Sequence, residues 1–137
     1  LLSLYEALYL CTHRNMKIRI EGKNAECDDL LKYGESLIPR FRVKYYVYED
    51  LRLKGYIVKS AMKFGADFAV YELGPGLEHA PYLVLVVDED QSLDPVHIVR
   101  LGRLSHSVKK RLIIAVVSLS DGVFRGINYL TFRWIGV

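Results

Sequence analysis

Tyr71 ends the apolar run "ADFAVY", and His79 stands just before the next run, "YLVLVV", with the turn "ELGPGLE" between them. A phenol and an imidazole are both proton-transfer groups. A turn this short joins neighbouring antiparallel strands and holds the two side chains within reach across a hairpin mouth. Taken singly, each has a plain structural reading: a half-buried strand tyrosine and a surface loop histidine. A site needs a third partner, and the segment "VRLGRLSHSVKKR" offers one. If that segment is helical to its end, Arg103, Ser107 and Lys110 share one face, while Lys109 points about 100° away. Lys110 then sits at the C-terminal end of the helix, placed to meet Tyr71 and His79 at a sheet edge. Its structural reading is a cation offsetting the negative end of a helix dipole.

Other chemistries find little support. There is no G-x-x-x-x-G-K-[ST], no HExxH and no G-x-S-x-G, and Gly74 and Gly76 belong to a turn instead of opening a helix after a strand. Asp67 is the only acid inside the central strands, and Glu72 and Glu78 flank the turn, where solvation accounts for them. Asp67 and Glu72 would be the ligands of a magnesium-dependent nuclease, but no lysine follows two residues after a strand carboxylate pair. His13, His97 and His106 lack ligand-like companions. Cys11 and Cys27 lie far apart with no CxxC spacing, which argues for reduced thiols over a zinc knuckle or a disulfide framework.

These side chains must be positioned by the elements around them. Leu1 to about Arg14 reads as an amphipathic helix already under way at the first residue, so the chain is read as a fragment. "KIRIEG" alternates as a short strand, and "CDDLLKYGESL" reads as a short helix ending before Pro39. This helix-strand-helix appendage is taken as 1-39. From Phe41, a helix puts Phe41, Tyr45, Tyr48 and Leu51 on one stripe and ends at Gly55. Three strands follow, "YIVKSA", "ADFAVY" and "YLVLVV". A helix capped by Asp94 with Pro95 at its first position comes next, with Ile98, Leu101, Val108 and Leu112 as its apolar stripe. "RLIIAVVSL" and "NYLTFRWIGV" give the last two strands. The order predicts an α/β domain over 40-137 in which the basic helix crosses between the third and fourth strands.

Composition agrees with a folded protein that meets a polyanion. The 137 residues are long enough to bury a core, and 51% are hydrophobic, enough to fill one. No apolar run reaches the roughly 18 residues of a bilayer span, and no leader-like segment opens the chain, so a soluble, cytoplasmic protein is expected. Net charge is only +3. The bases, however, gather around Arg100, Arg103, Lys109, Lys110 and Arg111, a local phosphate footprint.

Taken jointly, "KFGADFAVY", "EHAPYLV" and "SVKK" resemble the catalytic subunit of the archaeal tRNA-splicing endonuclease, and the likeness extends over nearly the whole chain. The resemblance implies a C-terminal nuclease domain with a central mixed sheet flanked by helices, restriction-endonuclease-like. It implies catalysis by Tyr71, His79 and Lys110, the SVxK register selecting Lys110. It implies that Arg103 and Arg125 stack on a bulged base, and that neither cofactor nor metal is needed. Tyr71 would be the base for a ribose 2′-hydroxyl, His79 the acid for the departing 5′-oxygen and Lys110 the stabiliser of the phosphorane. A tyrosine has an ordinary pKa near 10, so nearby cations must favour its phenolate. The implied substrate is precursor tRNA cut within a bulge-helix-bulge, leaving a 2′,3′-cyclic phosphate and a 5′-hydroxyl.

The family assembles through C-terminal strands and through an acidic loop before the last strand. Here that loop reads "SLSDGVF", with Asp121 its only acid. The reading therefore leans towards a catalytic subunit working in a heterotetramer with a separate structural subunit, and keeps self-association into a homotetramer as its rival. A non-catalytic RNA-binding subunit of the same assembly is the alternative function, and retention of Tyr71, His79 and Lys110 argues against it.

Overall fold

A computed structural model of the chain describes residues 3–72, 82–89, 94–107 and 110–131. They form two compact units, Leu1–Glu49 and Asp50–Val137.

The first unit contains α1 (Leu4–Arg14), β1 (Ile18–Ile20), β2 (Lys23–Ala25), α2 (Cys27–Leu37) and the first nine residues of α3 (Phe41–Leu53). Ser3 caps α1 by accepting a hydrogen bond from the Glu6 N–H at 3.1 Å. The helix thus begins at Leu4, with a side-chain cap. The single predicted strand is one arm of an antiparallel hairpin, Ile18 pairing with Ala25 and Ile20 with Lys23. Its second arm, "KNA", is too polar to show as a strand in sequence.

The expectation of reduced thiols is overturned. Cys11 and Cys27 form a disulfide with their Cα atoms 5.7 Å apart. The hairpin between them folds the chain back on itself, which brings the end of α1 to the start of α2; a separation of 16 residues by itself does not reveal that return. The expected stripe of α3 is present. Phe41, Tyr45, Tyr48 and Leu51 are all buried. In the first unit Tyr5 stacks on Phe41 and Tyr48, with ring centroids 4.8 and 5.6 Å apart. Gly34 makes room for the Phe41 ring, which any β-carbon added there would strike.

The second unit begins in the last turn of α3. Gly55, at φ 94°, ends the helix, and the Tyr56 N–H bonds back to Leu51 O at 3.1 Å. Next come β3 (Ile57–Ser60), a 3₁₀ turn (Met62–Phe64), β4 (Phe68–Tyr71), β5 (Tyr82–Asp88), α4 (Pro95–Ser107), β6 (Arg111–Ser120) and β7 (Val123–Thr131). The five strands make one mixed sheet in the order β3-β4-β5-β6-β7. All neighbours are antiparallel except β5 and β6, which run parallel through the α4 crossover, the βαβ step read from the sequence. Asp94 caps α4 as expected, accepting from the Val96 N–H at 3.0 Å.

Two boundaries differ from the sequence reading. The last strand starts at Val123, five residues before the predicted Asn128, because "SLSDGVF" is no open loop. Asp121 and Gly122, at φ 51° and 77°, form a two-residue hairpin turn that matches strand twist, so β6 and β7 pair right up to it. In addition, α4 stops at Ser107.

One sheet face packs against α4. Ala69, Leu83 and Leu112 lie in one cross-strand row and pack against Leu101 of α4. Residues alternating with these, among them Val70, Tyr82 and Ile113, line a cavity of about 240 Å³ together with Leu51 and Lys54 from the end of α3.

Candidate active site

The register places two of the expected catalytic side chains together. Val70 pairs with Tyr82, and Tyr82 with Arg111, forming one row across β4, β5 and β6. Tyr71 follows Val70 and Lys110 precedes Arg111, and since β4 runs opposite to the other two strands, both lie just beyond that row on the same side. Two strand spacings separate their backbones, about 10 Å. Their side chains share a face as well. Tyr71 lies two residues from Ala69, and Lys110 two from Leu112, both residues of the row that packs on α4. Tyr71 packs against that cluster, as does Phe64. The Lys110 ammonium lies 5.9 Å from the centre of the Phe64 ring.

The route by which Lys110 arrives is not the helical face read from the sequence. It lies past the end of α4, and its N–H donates to Ser105 O at 2.6 Å. The helix ends at Ser107, and Arg111 is already paired with Tyr82. Of the predicted apolar stripe, Leu101 holds its place on α4, whereas Leu112 belongs to β6 and Val108 lies outside the described residues. Ser105 occupies the sheet-facing side one turn after Leu101; it is 2% exposed, and its hydroxyl has no hydrogen-bond partner among the described residues.

The other expected residues fall differently. His79 lies outside the described residues. Arg103 is exposed on α4, two positions from both Leu101 and Ser105, and therefore on the side turned from the sheet. Arg125 is exposed in β7 at a β-bulge, since Ser118 pairs with Gly126 and Leu119 with Phe124, leaving Arg125 as the extra residue. That point on β6 is eight residues from Lys110, about 26 Å along the strand. One chain does not bring Arg125 to Tyr71 and Lys110.

Asp67 is engaged in structure. Its carboxylate accepts from the Val86 N–H at 2.7 Å. Among the described residues, no three of His, Cys, Asp or Glu gather as a metal would require. On the opposite face, the Tyr129 hydroxyl donates to Asp50, which also holds Lys54 at 2.8 Å. Burial and then the Asp50 carboxylate raise Tyr129 well above the usual tyrosine range, and burial and then Glu49 do the same for Tyr45. Neither phenol is poised for proton transfer near neutrality. Sequence reasoning had not singled out Phe64, although it stands in the "KFGAD" segment that carries the resemblance.

Residues 41–129 match the model of the tRNA intron endonuclease, catalytic C-terminal domain. The chain is 47% identical over 135 residues to the tRNA-splicing endonucleases of Sulfurisphaera tokodaii and Sulfolobus acidocaldarius, covering 98% of this chain and 73% of each relative. A Saccharolobus islandicus tRNA-splicing endonuclease is equally similar. With the family model matched over residues 41–129 and 47% identity over 98% of its length, the chain belongs to the tRNA intron endonuclease family.

Proposed function

We propose that the chain is an RNA endonuclease that removes introns from precursor tRNA at bulge-helix-bulge sites without a metal ion. The observation that carries this reading is the shared face of Tyr71 and Lys110, both one residue beyond the row of Val70, Tyr82 and Arg111. A phosphodiester held at that sheet end meets a proton acceptor from one strand and a cation from another.

In this mechanism Tyr71 takes the proton of the ribose 2′-hydroxyl as the 2′-oxygen bonds to phosphorus. Lys110 stabilises the charge that collects on the phosphorane oxygens. The bond from phosphorus to the 5′-oxygen breaks, and His79 supplies that oxygen with a proton. The products are a 2′,3′-cyclic phosphate and a 5′-hydroxyl, with no covalent enzyme intermediate. Residues 40-137 form the catalytic domain in this reading.

Arg103 and Arg125 hold a bulged base by stacking, which is inexpensive because such a base is already unpaired. With Arg125 about 26 Å from Lys110 along β6, it serves the site of another subunit. The chain accordingly works in a tetramer, with a structural subunit as the favoured partner, in the cytoplasm.

The test is cleavage of end-labelled bulge-helix-bulge RNA by the full-length protein, alone and with a candidate partner subunit, in excess EDTA. Cyclic phosphate ends are expected. Cleavage that begins only when Mg²⁺ is restored would overturn the mechanism.

A further inference from the structure

Phe64 carries two cations. The Lys110 ammonium lies 5.9 Å from its ring centre and that of Lys63 lies 5.1 Å from it. The two charges are no farther apart than those distances laid end to end, and each gains from the electron-rich ring face while repelling the other. Phe64 is fixed from below. It ends the 3₁₀ turn and packs on the cluster of Ala69, Leu83 and Leu101 that Tyr71 also borders. Lys63, by contrast, is exposed. A ring packed on the core that holds both the partly buried Lys110 and the exposed Lys63 matches an extended polyanion better than a single anion.

We propose that Phe64 is a positioning residue for Lys110, and that Lys63, held on the same ring, contacts a backbone phosphate of the RNA flanking the scissile one. This rests on the reading of Lys110 as the stabilising cation. The ring limits where the flexible lysine stem can put its charge, so less of that freedom is lost when the phosphorane forms. Lys63 adds one sequence-independent phosphate contact, which secures register on the strand without reading bases.

The experiment compares Phe64→Leu, Phe64→Tyr, Lys63→Ala and Lys110→Ala in the full-length protein, in the assembly in which it cleaves. Single-turnover cleavage of bulge-containing precursor tRNA is followed across a salt series. Phe64→Leu is expected to lower kcat about tenfold with a smaller change in KM, and Phe64→Tyr, which keeps the ring, to recover most of that loss. Lys63→Ala is expected to act chiefly on KM and to reduce the slope of log affinity against log salt by about one.

If Lys110→Ala abolishes cleavage while Phe64→Leu keeps the wild-type kcat, the positioning role is wrong and the catalytic reading stands. If Lys110→Ala itself cleaves normally, the catalytic reading fails and takes this proposal with it. Equal losses in Phe64→Leu and Phe64→Tyr, tracking a fall in melting temperature, would show a packing role and overturn positioning. A salt slope unchanged in Lys63→Ala overturns the phosphate contact.

Discussion

The carboxylate of Asp67 stands in for a missing strand. It accepts from the Val86 N–H at 2.7 Å, while the Asp67 N–H donates to Val84 O at 2.9 Å. At Phe68 the ordinary β4–β5 pairing takes over. Val86 is 1% exposed, so losing the Asp67 carboxylate takes an acceptor away from a buried amide. Asp67→Ala should therefore cost about 1–3 kcal/mol in urea unfolding. Asp67→Asn keeps an acceptor oxygen and should cost much less. The same pair tests the metal-nuclease alternative: as a structural acceptor, Asp67→Asn retains cleavage in EDTA, whereas a metal ligand would not survive that change.

Tyr71→Phe removes only a hydroxyl from the end of β4. Cleavage should fall by about 10²–10⁴ if it is the base, with circular dichroism and RNA binding unchanged. Lys110→Ala should lose about 10²–10³. A filter-binding assay beside the rate measurement separates lost chemistry from lost affinity, and near wild-type rates in either variant would remove that residue from the mechanism.

The Cys11–Cys27 disulfide joins α1 to α2 across a separation of 16 residues. For a loop of that size the bond stabilises by about 3 kcal/mol, chiefly by restricting the unfolded chain. Cys27→Ser, or a reductant, should destabilise the first unit by that order and leave the β-sheet unit melting as before. Differential scanning calorimetry with and without reductant checks this, and thiol titration of the unfolded protein confirms the bond.

Tyr129 and Tyr45 both titrate above the ordinary tyrosine value of 10 in the folded state. In the unfolded chain they lose their protons near pH 10, so above that pH the unfolded state binds fewer protons than the native one. The stability they contribute is therefore complete below about pH 10 and drains as the pH climbs from there towards their folded values. Absorbance at 295 nm should show these two phenols ionising after the exposed tyrosines, together with unfolding. Tyr129→Phe should flatten the alkaline loss, and an unaltered curve would mean that its hydrogen bond to Asp50 contributes nothing.

Much of this was legible in the residues, for physical reasons that differ by element. The α3 stripe and the β4 and β5 runs were readable because their periods of 3.6 and 2 are carried by large buried side chains. The Asp94 cap was readable because its chemistry is local. The end of α4 was not. "LSHSVKK" has helical spacing throughout, whereas α4 ends at Ser107 and Arg111 pairs with Tyr82 in β6. Lys110 was read onto a helical face with Arg103, whereas it lies beyond the end of α4 and reaches the Tyr71 side through the register of β6. The disulfide was hidden because it depends on a hairpin whose second arm looks like loop, and Arg125 was assigned to a loop because a bulge interrupts its alternation.

The parallel pairing of β5 with β6 also makes the site a matter of parity. Tyr71 and Lys110 face the same side only because the count of residues from the Val70, Tyr82 and Arg111 row is odd on both strands. Sliding β6 by one residue would carry Lys110 to the opposite face of the sheet, with no change in composition or charge. A slide of two would return it, displaced by about 7 Å. Single-residue insertions or deletions between α4 and β6 should thus inactivate far more than their effect on stability suggests, and paired ones less, so that cleavage reports the register of a strand.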